Sequence, residues 1–348
     1  MKKISEAALH FGLFVALAAG CSTPLRHSRA QPIEVSLGRA PRVQLPPLTD
    51  GVPPQTWEKY FYSGLGFDPN NKTYYFGYRG SLWSAPEGAT AAVRIPIEGE
   101  QSPWIQNPYV CMPIGQGRLL VCTGFTKKDP DGLELVGEHL LLVNTLSGAA
   151  RRLYEGTDLR RNKLSPWFRR LLWQLIDFDK EHEAAIIWDR EQKLLFLIHL
   201  DGVITKSPIE IPSGSSPGQT GDIAYSVRWR RLAYTQIRNA AEGEGATFVA
   251  NDDGTGERLV EGLTGFGRLD FASSDLILES SGDLVMVNLV SGKASRIPGF
   301  GVRSICDGVV LVSKSVDPSA YRWLDRSPPD TYRLSVADLR TLPSAGVK

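Results

Sequence analysis

Histidine, cysteine and methionine are scarce in this 348-residue chain, which has five His, four Cys and three Met. Beyond residue 54 the only histidines are His139, His182 and His199, and none has a second metal-binding side chain at a known motif spacing. We therefore expect no metal ion. A chain of this length can also bury a core large enough to fold without disulfide staples.

An excess of charge of either sign is missing as well. Residues 1–20 hold two of the 39 basic and one of the 38 acidic residues, so the remainder of the chain is electrically neutral. The basic patch that binds nucleic acid is not expected at this balance. Steering of a cationic partner by excess acidic charge is equally unsupported.

The chain has no run of about twenty apolar residues, the length that crosses a bilayer as a helix. Its longest apolar-rich run, Ala7–Gly20, follows Lys2 and Lys3 and ends directly before Cys21. This arrangement is typical of a signal peptide. The small residues before Cys21 resemble the lipobox of bacterial lipoproteins, which implies that Cys21 is acylated and becomes the new N-terminus. The segment departs from the lipobox at Ala18, where Leu is usual, and cleavage after Ala18 to give a secreted protein is the alternative.

This interpretation divides the chain into three parts. Residues 1–20 are the signal peptide, 21–54 a lipid-anchored linker rich in proline, and 55–348 the folded domain. Because two or three acyl chains hold a protein stably on a bilayer, we expect a membrane-anchored protein of the cell envelope. Ser22 after the cysteine favours the outer membrane, with the domain facing the periplasm.

A structural unit recurs along the folded domain. Each copy is a strand, a tight turn that usually ends in glycine, and a second strand, and a further hairpin precedes it. Six copies recur at intervals of roughly forty to sixty residues, the scale of a propeller blade. The pattern predicts an all-β, six-bladed β-propeller of four-stranded antiparallel blades. Five copies turn at Gly88, Gly148, Gly202, Gly254 and Gly292, and the sixth ends at Leu339–Arg340.

Two stretches resemble the repeats of TolB-type propellers. Residues 66–72 (GFDPNNK) are similar to the turn of the inner hairpin in those repeats, and residues 248–260 (FVANDDGTGERLV) to the outer hairpin. The resemblance covers most of residues 60–340 and implies a propeller fold. TolB also carries an N-terminal α/β domain, for which residues 22–54 are too few and too rich in proline, so its role does not transfer.

A propeller must join its last blade to its first, because two sheet edges stand open otherwise. Residues 302–340 provide three strands for the sixth blade, and the tail after Thr341 is poor strand material. The linker holds two strand-like stretches, Ile33–Leu37 and Arg42–Leu45. We expect one of them to pair with Tyr332–Ala337 and close the ring. The alternative is a free linker, with the C-terminal tail completing the blade.

Cys111 and Cys122 flank a hairpin whose turn is centred on Gln116–Gly117. Pairing Ile114 with Leu119 places the two cysteines opposite each other, within reach of a disulfide. Oxidising conditions outside the cytoplasm favour that bond, so we expect a disulfide between them. Two reduced cysteines in the core are the alternative.

The sequence provides no catalytic residues that we can assign and no cofactor motif. Gly214–Gly218 matches the G-x-S-x-G string of serine hydrolases, but Pro217 lacks the backbone N–H needed in the oxyanion hole. Aromatic residues are the remaining candidates for recognition, since they are enriched in interface cores. Trp57, Tyr60 and Trp104 are therefore candidate partner-binding residues, although aromatic side chains also fill gaps between blades.

These observations leave two functional hypotheses, of which we favour the first. The first is a binding or scaffold propeller for a protein or cell-wall-associated partner. The second is an enzyme or small-molecule sensor with its site at the central channel. The second requires charged side chains that converge at one channel mouth. The candidates are Asp177, Asp179, Asp222 and Asp270, and their positions along the inner strands argue against convergence at a single mouth.

Overall fold

The computed structural model describes residues 32–38, 40–48, 63–78, 80–97, 105–128, 134–158, 173–189, 194–207, 209, 220–239, 244–265, 267–314 and 330–342. Cys21, Trp57, Tyr60 and Trp104 lie outside these residues, so the acylation site and the aromatic partner site stay predictions. Within the described part of the chain, no helix is long and apolar enough to span a membrane.

The described residues form six antiparallel sheets that follow one another along the chain, which confirms the predicted six-bladed propeller. Blades one to four have four strands each and blade six has three. Blade five has four strands of its own and gains β1 (Ile33–Glu34) at its outer edge. Blade one contains β2 (Ser63–Asp68), β3 (Thr73–Tyr78), β4 (Ser81–Pro86) and β5 (Val93–Ile95); blade two β6 (Ile105–Gly115), β7 (Arg118–Lys128), β8 (Glu134–Asn144) and β9 (Ala150–Asp158); and blade three β10 (Trp173–Asp179), β11 (Ala184–Asp189), β12 (Leu194–His199) and β13 (Ile204–Lys206).

The other three blades follow the same order. Blade four contains β14 (Thr220–Ser226), β15 (Arg231–Asn239), β16 (Glu244–Asn251) and β17 (Arg258–Val260); blade five β18 (Arg268–Ser273), β19 (Leu276–Ser280), β20 (Leu284–Asn288) and β21 (Ala294–Ile297); and blade six β22 (Phe300–Cys306), β23 (Val309–Lys314) and β24 (Thr331–Ser335), followed by the helix α1 (Val336–Arg340).

The core lies between neighbouring sheets. The second strand of a blade is covered on both sides, which is why every residue of β3 and β11 is buried, whereas every residue of the outer strand β13 is exposed. Between blades two and three, Leu120 and Leu140 pack with Ile187 in one apolar cluster. Stacking the blades therefore removes both faces of each inner hairpin from water, and this burial drives the fold.

The ring has two different faces. The first and second strands of each blade, and the third and fourth, meet on one face, where short turns such as 116–117 and 307–308 join them. We call this the turn face. The second strand of each blade ends, and the third begins, on the opposite side, which we call the connection face. The fourth strand also ends there, so every inner strand begins at the connection face and ends at the turn face.

Residues 32–38 and 40–48 form a strap along the outer edges of three blades, and the predicted closure is confirmed. Ile33 and Glu34 pair in parallel with β21 of blade five. Arg42 forms an antiparallel bridge to Tyr332 of β24, and Leu48 a parallel bridge near the start of β5. β21 begins at the turn face, and Ile33 and Glu34 run parallel to it. The strap therefore begins at the turn face, at Pro32.

One part of the closure prediction was wrong. The strand expected to continue to Ala337 ends at Ser335, because Ser335 caps α1. Its hydroxyl accepts the N–H of Asp338 at 3.1 Å, and the Asp338 carboxylate accepts the N–H of Ser335 at 2.7 Å, a reciprocal capping box.

The predicted register of the Cys111–Cys122 hairpin was also wrong. Pro113 pairs with Leu119, and Ile114 is left over as a bulge before Gly115. The extra residue shifts the register by one, so Cys111 faces Val121 and Cys122 faces Val110. A one-residue shift places the two side chains on opposite faces of the sheet. Cys111 packs toward blade one and Cys122 toward blade three, and both are free thiols.

Candidate functional site

The six inner strands surround a central cavity of about 810 Å³. The first strand of every blade pairs irregularly with the second, with a β-bulge or register shift in each of the six. Bulges re-aim side chains and interrupt the regular alternation of a strand. Asp222 in β14 and Arg303 in β22 both lie at such irregularities, and both line the cavity.

At the turn face, charged side chains span the mouth of the channel. Lys180 follows β10 of blade three, and Asp307 follows β22 of blade six, on the opposite side of the ring. The Lys180 ammonium donates to both carboxylate oxygens of Asp307 at 3.3 Å. The Cys306 thiol also approaches the Pro113 carbonyl of blade two at 3.8 Å. The ion pair joins opposite sides of the ring and the thiol contact joins blades six and two, so side chains bridge this mouth.

Asp177 lies below this bridge, between blades three and four. Its carboxylate accepts the N–H of Phe178 at 2.8 Å and the N–H of Val227 in the next blade at 3.1 Å. Burial raises its pKa to about 6, and the two N–H donors oppose the shift. Asp177 therefore joins two blades while remaining titratable near neutral pH.

Asp179, two residues further on, has the opposite electrostatics. Burial opposes its ionisation, but His182 and two backbone N–H groups outweigh burial and lower its pKa. The His182 ring nitrogen Nδ1 lies 2.7 Å from the Asp179 carboxylate, which raises the pKa of the exposed histidine. The pair holds the turn between β10 and β11 in shape, because Asp179 also accepts the N–H groups of Glu181 and His182.

At the connection face, four polar side chains from three successive blades line the same cavity. We call them the entrance cluster: Gln174 of blade three, Asp222 of blade four, and Arg268 and Asp270 of blade five. Each is among the first three residues of its inner strand. The strands therefore carry these side chains to the mouth that lies opposite the Lys180–Asp307 bridge.

Arg268 and Asp270 form the centre of the entrance cluster. The Arg268 guanidinium donates to Oδ1 of Asp270 at 3.0 Å, and the carboxylates of Asp270 and Asp222 raise the pKa of Arg268. Burial raises the pKa of Asp270, although Arg268 opposes the shift. The Arg268 side chain is 42% exposed, so it keeps donors open to the channel. The buried Oδ2 of Asp270 has no hydrogen-bond partner among the described residues.

A buried carboxylate fixes the chain just before Arg268. Glu279 of β19 is fully buried and accepts the N–H of Thr264 at 2.6 Å, the Thr264 hydroxyl, and the N–H of Gly267 at 2.9 Å. A Cβ at position 267 would lie 2.6 Å from the Ser280 carbonyl oxygen, so only glycine fits there. Glu279 thereby positions the start of β18 and with it Arg268.

The four aspartates named from the sequence divide between the two mouths. Asp177 and Asp179 lie toward the turn face, and Asp222 and Asp270 toward the connection face. Sequence reasoning did not identify Gln174 or Arg268. Both are polar residues near the start of an inner strand, and that position was the signal available in the sequence. Among the described residues, no three His, Cys, Asp or Glu side chains are grouped as metal ligands would be.

Comparison with known proteins adds information on the fold alone. No family model matches the chain, and no curated protein matches its sequence. Among solved structures it is similar to an oligogalacturonate lyase from Vibrio parahaemolyticus, with 10% identity, a TM-score of 0.48, and coverage of 78% of this chain and 77% of the other. A putative TolB from Agrobacterium tumefaciens has 11% identity, a TM-score of 0.39, and coverage of 79% and 82%. A soluble aldose sugar dehydrogenase from Escherichia coli has 12% identity, a TM-score of 0.45, and coverage of 79% and 96%.

At these identities the likeness carries nothing about activity. The resemblance to TolB-type repeats is confirmed for the fold, which the six sheets of this chain define by themselves. Fold and site together define a β-propeller whose channel is bridged by an ion pair on one face and lined by polar side chains at the other.

Proposed function

We propose that this protein is a lipoprotein of the cell envelope whose propeller binds a protein or cell-wall-associated partner. One observation carries the proposal: the strap begins on the face opposite the entrance cluster. Pro32 begins the strap at the turn face, whereas Arg268 and Asp270 lie at the start of their strand, at the connection face. A chain anchored through Cys21 would therefore present its polar channel mouth away from the tether.

The length of the tether supports this orientation. Eleven residue steps separate Cys21 from Pro32. An extended chain spans at most about 3.6 Å per residue, so blade five lies within about 40 Å of the lipid anchor. The tether keeps the propeller near the bilayer, and its attachment at the turn face favours the orientation in which that face is turned toward the lipid. The proposed location is the outer membrane, with the connection face exposed to periplasmic partners.

The channel itself favours a second candidate function, a small-molecule sensor or enzyme. The observation is the entrance cluster, in which a guanidinium, two carboxylates and a carboxamide line one cavity. Concave sites with a few convergent polar groups are the usual location of ligands. Recognition of a ligand requires no catalytic step, so the entrance cluster can serve a binding module as well.

Two measurements test the proposed function. Metabolic labelling with a fatty-acid analogue should mark the wild type but not Cys21→Ser, and only the wild type should sediment with membranes. The second measurement places a photo-crosslinking residue at one of two matched positions. Ser281 is exposed on the connection face, and Leu146 is 90% exposed on the turn face. Protein crosslinks from living cells should form at Ser281. Equal labelling of both forms would refute the anchor, and crosslinks at Leu146 alone would refute the orientation.

A further inference from the structure

We infer that the entrance cluster binds the hydroxyl groups of an uncharged saccharide at the connection-face mouth of the channel. This inference rests on the proposed function, because it names the ligand of the same propeller. It starts from Asp270, whose side chain lines the cavity and is 16% exposed, and whose buried Oδ2 has no hydrogen-bond partner among the described residues. A carboxylate that lacks a donor at one oxygen is stabilised when a ligand hydroxyl donates to the same carboxylate.

The neighbouring guanidinium of Arg268 defines the second hydrogen-bonding group that the ligand must carry. Arg268 has five N–H donors, donates to Asp270 with one side of its fork, and is 42% exposed in the channel. A ligand at this point must therefore donate to Asp270 and accept from Arg268 within a few ångströms. A hydroxyl group does both, and two adjacent hydroxyl groups match a carboxylate beside a guanidinium.

The charges next to Arg268 and Asp270 disfavour the other common ligands of such groups. An anionic ligand at Arg268 would lie beside the carboxylates of Asp222 and Asp270, whose negative charge already acts on Arg268. An ammonium ligand at Asp270 would lie beside the Arg268 guanidinium, which is at hydrogen-bond distance from the same carboxylate. An uncharged hydroxyl-rich ligand meets neither repulsion.

The size and composition of the site fit the same ligand. The cavity volume of about 810 Å³ lies within the range of small-molecule sites. Gln174 adds a carboxamide on the blade-three side of the mouth, so planar hydrogen-bonding groups surround the entrance on three successive blades. The bridge between Lys180 and Asp307 at the far mouth leaves the connection face as the entry side.

The test is calorimetric titration of the purified full-length chain with the β-1,4-linked trisaccharide of N-acetylglucosamine, and with maltotriose as a second neutral saccharide. Triglycine serves as a ligand of another class. We expect saturable binding of at least one saccharide with a dissociation constant below about 1 mM. Asp270→Ala should weaken binding about tenfold or more, since the acceptor is lost. Arg268→Lys, which keeps the charge but not the planar fork, should also weaken it.

Asp177→Ala is the matched control, because it removes an aspartate from the same cavity at the other mouth. It should leave saccharide affinity unchanged. Thermal unfolding of each variant shows whether it is folded, and Arg268→Lys provides the result if Asp270→Ala fails to fold. The inference would be overturned if neither saccharide showed saturable binding, or if triglycine bound better than both saccharides. It would also be overturned if Asp177→Ala lost as much affinity as the two cluster variants. None of these results alters the labelling and crosslinking tests of the proposed function.

Discussion

The Glu279 clamp provides a stability prediction that follows directly from geometry. Its carboxylate is fully buried and accepts the N–H groups of Thr264 and Gly267 and the Thr264 hydroxyl. In Glu279→Ala these donors lose their acceptor. Leaving a buried donor unsatisfied costs about 1–3 kcal/mol, so the loss of the acceptor for three donors should lower the free energy of unfolding by about 3–9 kcal/mol. Glu279→Gln keeps one acceptor oxygen and should lose about half of that.

The assay is urea unfolding followed by tryptophan fluorescence, with Glu257→Gln as the control. Glu257 is exposed on the turn between β16 and β17, so its substitution should change stability by less than about 0.5 kcal/mol. Native-state hydrogen exchange supplies a local readout, because the Thr264 and Gly267 amides should exchange faster in Glu279→Gln. A loss below about 1 kcal/mol in Glu279→Ala would show that other groups hold this loop and refute the reasoning.

Three further predictions concern the strap, the channel and the thiols. Val35 is 6% exposed, so Val35→Ala should lower the unfolding free energy by about 1–3 kcal/mol. Ile33 is 57% exposed, so Ile33→Ala should change it little. Equal effects of the two variants would contradict the packing of the strap. Burial raises the pKa of Asp177 to about 6, so its ionisation costs stability as pH rises from about 4 to 6. Asp177→Asn should therefore gain up to about 3 kcal/mol at pH 7 and nothing at pH 3, and a pH-independent difference in urea unfolding would refute this. Burial raises the pKa of Cys111 and Cys122, so both thiols should react with a thiol reagent only after unfolding; mass spectrometry showing a bond between them would contradict the register.

The fold was readable from the sequence because the blade is a local pattern. Short apolar strands and turns such as Asn288–Gly292 act over a few residues, and each is visible without knowing the rest of the chain. There the Asn288 side chain accepts the N–H groups of Val290 and Ser291, which is why asparagine begins the turn. Closure was predictable too, since an open sheet edge requires a partner and the linker held strand-like residues.

The register of the blade-two hairpin could not be read in the same way. A single bulged residue, Ile114, reverses which face each later side chain occupies, and Gly115 with a φ of 88° permits the bulge. The entrance cluster was hidden for a related reason. Gln174, Asp222 and Arg268 are far apart in the chain. The irregular strand pairing at Asp222 also breaks the alternation of side chains from which its direction would be predicted. Only the closed ring brings them to one mouth.

The strap also has a consequence for the time course of folding. The Glu34 carboxylate accepts a hydrogen bond from the Arg296 guanidinium at 2.8 Å across 262 residues of sequence, and Arg42 bridges to Tyr332. A ribosome releases the strap first, yet its pairing partners emerge near the end of synthesis. Each blade can form from local contacts, but the ring must wait for its two ends to meet. Contacts of such long range slow folding, so ring closure should be the late, rate-limiting event.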